Sequence, residues 1–293
     1  MKIFLGYDNK CLSKEKIISG RIGGTERFFL LLESYLQSQG HTVNSSNEYD
    51  IAIHSNWMST SVNTTYQVCW CGSWTTDACD SKYNLVIANS QFMLDKLKIK
   101  GTVIPACYDS KIVEFESLSE YTNKKIITTS NPNRHFFNTL QVIDLLHKSK
   151  ADFSWLITGG NKLYSDSFSE QFQVKEDSSI AYRGILNRED MLKELATSHV
   201  FCYPNFTDNS ETQCVAMIEA SVLGVPVILP KRQPFTDTLP DNPYFVNNIN
   251  ECAEVIINLL DQSRQELKIC DVSNYTEDVV FNQIHEALLL LGN

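Results

Sequence analysis

Residues 210–230 read SETQCVAMIEASVLGVPVILP, and this stretch decides the fold. An apolar strand pattern, His199-Val200-Phe201-Cys202-Tyr203, precedes it, followed by a polar loop from Pro204 to Ser210. Beyond Gly224 comes a short apolar run, Val225 to Leu229. The order strand, loop, helix, turn, strand predicts a βαβ unit of a parallel sheet. Ligands of open α/β sheets lie outside the carboxyl ends of the strands, so the loop carrying Glu211 is where a small molecule is expected. Thr212, Gln213, Cys214 and Val215 would then open the helix, with amides free for phosphate oxygens and the helix dipole behind them. Glu219 stands eight positions after Glu211; two turns along one helix, it would share a face with Glu211 and accept from a vicinal diol such as a ribose. Acidic groups near a helix start also simply favour the dipole, by roughly 0.3–1 kcal/mol, so two glutamates alone leave both readings open.

Working outward, the alternation of strand and helix continues on both sides. Lys2 to Tyr7 reads as a first buried strand, and the basic, polar segment from Asp8 to Ile22 as a loop. After Gly23-Gly24, the apolar positions Phe28, Leu31, Leu32, Tyr35 and Leu36 recur at helical spacing up to Gly40, a C-cap. Asp50–His54, Gln67–Trp70, Asn84–Ala88 and Thr102–Pro105 read as further strands of a first domain, residues 1–108. Residues 109–123 are charged and read as a linker. A second domain, 124–274, opens with the strand Lys125–Thr129, the loop Ser130–Arg134 and a helix carrying Leu140, Ile143 and Leu146. Strands follow at Phe153–Thr158 and Ile180–Gly184, with an edge strand at Tyr244–Val246. The last helix, residues 275–293, puts Val280, Ile284, Leu288 and Leu291 on one stripe. Continued alternation is what a parallel sheet requires.

Composition narrows the class. At 293 residues the chain has room for two domains, and 43% apolar with 20% charged residues is ordinary for a globular protein. A net charge of −10 argues against non-specific binding of nucleic acid or anionic membrane by the surface as a whole. Nine cysteines without a CxxC pair indicate neither a zinc site nor a disulfide framework. Reduced thiols, and no apolar run near the ~20 residues of a membrane span, lead us to expect a cytoplasmic protein.

The run Tyr203-Pro204, Glu211-Thr212, Glu219-Ala220, Gly224-Val225-Pro226-Val227 resembles the nucleotide-sugar site of the retaining glycosyltransferases of family 4, which have the GT-B fold. Gly23-Gly24-Thr25-Glu26-Arg27 through Gly40-His41-Thr42-Val43 resembles the opening of the same family. The resemblance implies two Rossmann-like parallel-sheet domains facing a central cleft, with the terminal helix returning to the first. It gives Glu211 the hydroxyls of the donor sugar, as the catalytic residue, and Glu219 the nucleotide ribose. Arg134 and the Gly23-Gly24 loop fall on the donor phosphates. Gly159-Gly160, after a strand, suits a wall against the base or plain turn chemistry. The implied ligand is a UDP-, GDP- or ADP-sugar, with transfer to an acceptor hydroxyl under retention. No Asp-x-Asp occurs, which fits a metal-independent mechanism without a cofactor.

Two departures matter. The family's Lys after the Arg has no counterpart near Asn138, and its "W-x-H-D" run is replaced by Trp70-Cys71-Gly72-Ser73-Trp74, with no His. His54 ends an earlier strand and reads more readily as structural. These gaps keep open an inactive nucleotide-sugar binder. The basic loop Lys10, Lys14, Lys16, Arg21 is either a solvated loop or a contact for an anionic acceptor, including a hydroxymethylated base in DNA.

Overall fold

The structure, a computed structural model, describes residues 1–6, 24–55, 62–72, 83–115, 121–130, 134–159, 178–206 and 211–291. The chain divides into two compact units, and the described residues of the first are those up to Asp109 together with Ser273 onward. The described residues of the second are Ser110–Val272.

In the first unit, strands β1 (Lys2–Gly6), β2 (Thr42–Val43), β3 (Tyr49–Ser55), β4 (Thr64–Cys71), β5 (Leu85–Ala88) and β6 (Thr102–Val103) form one sheet in the order β2-β1-β3-β4-β5-β6. Every pairing is parallel, for example Ile3 beside Ile51 and Ile51 beside Tyr66. Helix α1 (Gly24–Ser38) buries Phe28, Phe29, Leu32 and Leu36, and α2 (Gln91–Leu97) buries Met93 and Leu94. Phe28 stacks on Trp70 at 4.3 Å between ring centroids and meets Phe281 edge-on at 5.5 Å. Phe281 belongs to the last helix, Glu277–Leu291, whose Val280, Ile284 and Leu288 complete this core with Ile3, Ile53 and Val68.

The second unit repeats the plan. Strands β7 (Lys125–Thr129), β8 (Ser154–Thr158), β9 (Ile180–Gly184), β10 (Val200–Cys202), β11 (Val227–Pro230) and β12 (Phe245–Val246) run in the order β12-β11-β10-β7-β8-β9, all parallel. Its helices are α3 (Phe136–Lys148), α4 (Arg188–Ala196), α5 (Val215–Val222), α6 (Phe235–Thr238) and α7 (Ile249–Leu260), and the Glu277–Leu291 helix of the first unit is α8. Val142, Ile143 and Leu146 of α3 and Ile256 and Leu259 of α7 pack with Ile126, Trp155, Ile157 and Ile228 of the sheet. After β7, β8 and β9 the chain crosses back to lay β10 on the other side of β7. The strand order therefore reverses between β7 and β10, and such a reversal opens a crevice at the carboxyl ends of those two strands.

Within the segment 109–123, Ser110–Phe115 forms a 3-10 helix whose Ile112 is wholly buried. Ile112, Val113 and Phe115 make too short an apolar group among charged residues to carry a periodic signal, so the packing is not legible locally. The helix after Glu211 starts at Val215, not Thr212, because Cys214 is an N-cap in extended conformation (φ −85°, ψ 93°). Glu211 thus precedes the helix, and the argument that two turns place it on one face with Glu219 does not hold.

Candidate functional site

The two strands flanking the reversal each hand a side chain to the crevice. After β7 the chain reaches Arg134, and after β10 it passes Tyr203 and arrives at Glu211. Arg134 Nη1 lies 3.0 Å from Glu211 Oε2, and the Tyr203 hydroxyl donates to the same oxygen at 3.0 Å. Ser130 Oγ is 3.3 Å from the Tyr203 hydroxyl and fixes it from the β7 side. Glu211 is 4% exposed, so its charge is compensated almost entirely by protein groups. Both contacts fall on Oε2, and no donor from the described residues bonds Oε1.

Electrostatics follows from this packing. Burial works against the Arg134 cation, yet the Glu211 carboxylate, helped by Tyr203 and Cys214, raises its pKa above the ordinary arginine value. Burial first, then the nearby Glu211 charge, pushes both the Tyr203 phenol and the Cys214 thiol well above their usual range. Tyr203 is therefore a standing donor, and Cys214 is a neutral thiol with no thiolate chemistry. His135, beside Arg134, is buried against the Tyr203 ring at 5.5 Å with Nδ1 3.1 Å from Thr139 Oγ1. Burial lowers its pKa to about 3, with Arg134 contributing and a backbone bond at Ser130 opposing.

Glu219 sits in the middle of α5, 5% exposed, and meets a different cation. Arg188 Nη2, from the first residue of α4, lies 2.6 Å from Glu219 Oε1. The structure thus brings Arg134 and Glu211 together directly and places Glu219 with Arg188. Thr212 and Gln213 are buried between Glu211 and the start of α5, and Cys214 caps that helix. Gly24 opens α1 in the first unit; a Cβ there would meet nothing within 4 Å, so no packing contact among the described residues demands glycine. Gly23, Gly160, the basic loop from Lys10 to Arg21, Ser73 and Trp74 lie outside the described residues. Gly159, at φ +111°, is different from Gly24: a Cβ would fall 1.9 Å from Ser130 O, so glycine alone lets the ends of β7 and β8 close up. His54 is buried beside Phe4 and Tyr83.

Sequence reading missed Arg188 and His135. For Arg188 a signal existed: a cation at the first position of a helix opposes the dipole, and one placed there needs an acid elsewhere. His135 had none, since burial of a loop histidine is set by long-range packing. Among the described residues no group of three His, Cys, Asp or Glu is arranged to hold a metal, and no helix is long and apolar enough to cross a membrane.

Two parallel six-stranded sheets, with buried carboxylates at the carboxyl edge of the second, define an α/β protein of the GT-B type, and comparison with solved structures agrees. The chain is similar to AviGT4, a glycosyltransferase involved in avilamycin A biosynthesis, at TM-score 0.67 and 12% identity over 99% of this chain and 98% of that one. It is similar to HepE of Anabaena, solved in complex with UDP and glucose, at TM-score 0.65 and 14% identity over 98% and 99%. WaaG, a glycosyltransferase involved in lipopolysaccharide biosynthesis, gives 0.58 and 12% over 98% and 95%. More particularly, residues 125–262 match the family described as glycosyl transferases group 1, a segment that contains both arginine–glutamate pairs. No curated protein sequence matches the chain.

Proposed function

We propose that the protein is a retaining, metal-independent glycosyltransferase that moves a sugar from a nucleoside diphosphate donor to an acceptor hydroxyl. One observation carries this: Glu211, beside the strand-order reversal, and Glu219, on the helix that follows it, are both buried, each is held by an arginine through one oxygen, and among the described residues neither second oxygen has a donor. The group 1 family match over this segment and the UDP and glucose in the HepE structure support the donor class.

In this reading Glu211 Oε1 accepts a hydroxyl of the donor sugar and Glu219 accepts the ribose. Arg134 and the first amides of α5 donate to the diphosphate. The acceptor oxygen bonds to the anomeric carbon on the face from which the diphosphate departs. The leaving phosphate oxygen takes the acceptor's proton. No strong protein base is required, and preorganised donors stabilise the charge that builds on the diphosphate. The acceptor is a hydroxyl of a glycan, lipid or nucleic acid, and the Lys10–Arg21 loop suits an anionic one. The compartment this reading favours is the cytoplasm.

A second reading, a binder that transfers nothing, draws on the His-free run at Trp70 and the burial of His54. Nucleoside diphosphate release from UDP-glucose, UDP-N-acetylglucosamine and their GDP and ADP counterparts, without acceptor, separates the two. We expect slow release by the wild type, unchanged by a chelator and lost in Glu211→Ala with the fold intact. Binding without release from any donor, with or without a hydroxyl acceptor, favours the binder.

A further inference from the structure

The cation that holds Glu219 is Arg188, through Nη2 and Oε1. Arg188 is the first residue of α4, where Glu189 and Asp190 suit the dipole and a cation does not. Its side chain is only 17% exposed and that of Glu219 7%. Met217, Ile218 and Ala220 around Glu219 are fully buried, so without Arg188 the carboxylate would be an uncompensated charge in an apolar helix face. The pairing is a single contact, Nη2 to Oε1. Nη2 and Nε–H lie on the same edge of the planar guanidinium, yet Nε–H is buried with no acceptor. On the carboxylate, Oε2 takes no donor from the described residues.

Arg188 Nε–H is thus buried without an acceptor and, across the same ion pair, Glu219 Oε2 takes no donor from the described residues, so the two have complementary hydrogen-bonding capacity. A hydroxyl group fills both at once, donating to the oxygen and accepting from the N–H. Sites built this way reject the analogue that lacks the hydroxyl, because its absence leaves two buried groups unpaired. We propose that Arg188 is a positioning and selectivity residue of the donor site: it holds Glu219 by one oxygen so that the other, together with Arg188 Nε–H, receives a ribose hydroxyl. The inference rests on the donor-site reading above and deepens it, since it assigns selection of ribonucleotides over 2′-deoxyribonucleotides to Arg188 and Glu219 as a unit.

The experiment is calorimetric titration of UDP and 2′-deoxy-UDP, with the GDP and ADP pairs alongside, into the wild type, Arg188→Ala, Arg188→Lys and Glu219→Gln. Loss of charge-assisted hydrogen bonds predicts a wild-type preference for the ribonucleotide of about tenfold or more. Arg188→Ala should bring the ratio to about twofold or below by weakening the ribonucleotide and sparing the deoxy form. Arg188→Lys, a point charge without the fork, should fall between. A merely structural arginine would weaken both nucleotides alike. Should Arg188→Ala fail to fold, Arg188→Gln replaces it with the same expectation. An Arg188 variant that folds and keeps the wild-type ratio overturns the inference. So does a wild type that binds nucleoside diphosphates without preference, which leaves the donor reading standing. A wild type that binds none of the three overturns the donor reading and this inference with it.

Discussion

At the residue scale, His135 shows how a side chain with no ligand to bind still records the site's construction. It is wedged between Arg134 and the Tyr203 ring, and burial holds its pKa down to about 3. An unfolded chain would protonate it near 6.5. Between those values the unfolded state binds the extra proton, so the fold loses stability as pH falls from about 6.5 toward 3, by up to about 1.4 kcal/mol per unit. Above 6.5 the contribution is complete and constant. Urea denaturation of wild type and His135→Gln at pH 6.5 and pH 4 should show the variant losing less stability by about 1 kcal/mol or more. His41 and His199, also lowered by burial, are common to both chains and cancel in the difference. Parallel pH profiles would contradict the burial account. The same scale shows what a sequence reveals of a site. Glu211, Glu219 and Arg134 announce themselves by spacing and by position after strands. Arg188 and His135 acquire meaning only from partners 31 and 68 residues away in sequence.

Among the elements, α4 and α5 matter most, because each carries one partner of the Arg188–Glu219 pair. Their carboxyl ends converge on Arg264. Its Nε donates to Gly224 O at 2.9 Å and Nη2 to Leu223 O at 2.6 Å, while Nη1 donates to the carbonyls of Ala196 and Ser198. The guanidinium also sits over the Tyr121 ring, 5.6 Å from its centroid. One side chain thus satisfies the orphan carbonyls of two helix ends and places a cation at the negative ends of both dipoles. Leaving several buried carbonyls unpaired costs about 1–3 kcal/mol each before relaxation, so Arg264→Ala should lower stability by roughly 3 kcal/mol. Urea unfolding monitored by circular dichroism measures this, and a loss under about 1 kcal/mol would mean water replaces the arginine without penalty. Arg264→Lys should recover little, since an ammonium cannot reach the same fork of carbonyls. The elements themselves were legible in proportion to their length. Strands β3, β4, β7 and β8 and helix α1 show full apolar patterns. The start of α5 was placed three residues early, because the polar residues Thr212 and Gln213 look the same in a loop as in a first turn. The short strand β2 lacks the alternation that would mark it.

At the scale of the whole molecule, the repeated strand–helix alternation made two parallel sheets predictable. What local pattern did not carry was the crossover that sets β10 against β7, and that crossover creates the site. Val200 pairs with Ile126 and Phe201 with Ile127, contacts between segments that have α3, β8, β9 and α4 between them. The crossover brings Arg134 and Glu211 within hydrogen-bonding distance although 77 residues separate them. The proposed function therefore requires a nucleoside diphosphate sugar to lie at the carboxyl edge of the second sheet, against Arg134, Glu211 and Glu219. Amide hydrogen exchange of the wild-type chain with and without saturating UDP-glucose, repeated with the GDP and ADP sugars, tests it most directly. The account predicts that at least one of these donors slows exchange in residues 211–219, in the segment leading into α3, and around the start of α4. Protection confined to other parts of the chain, or no protection from any donor, would contradict it.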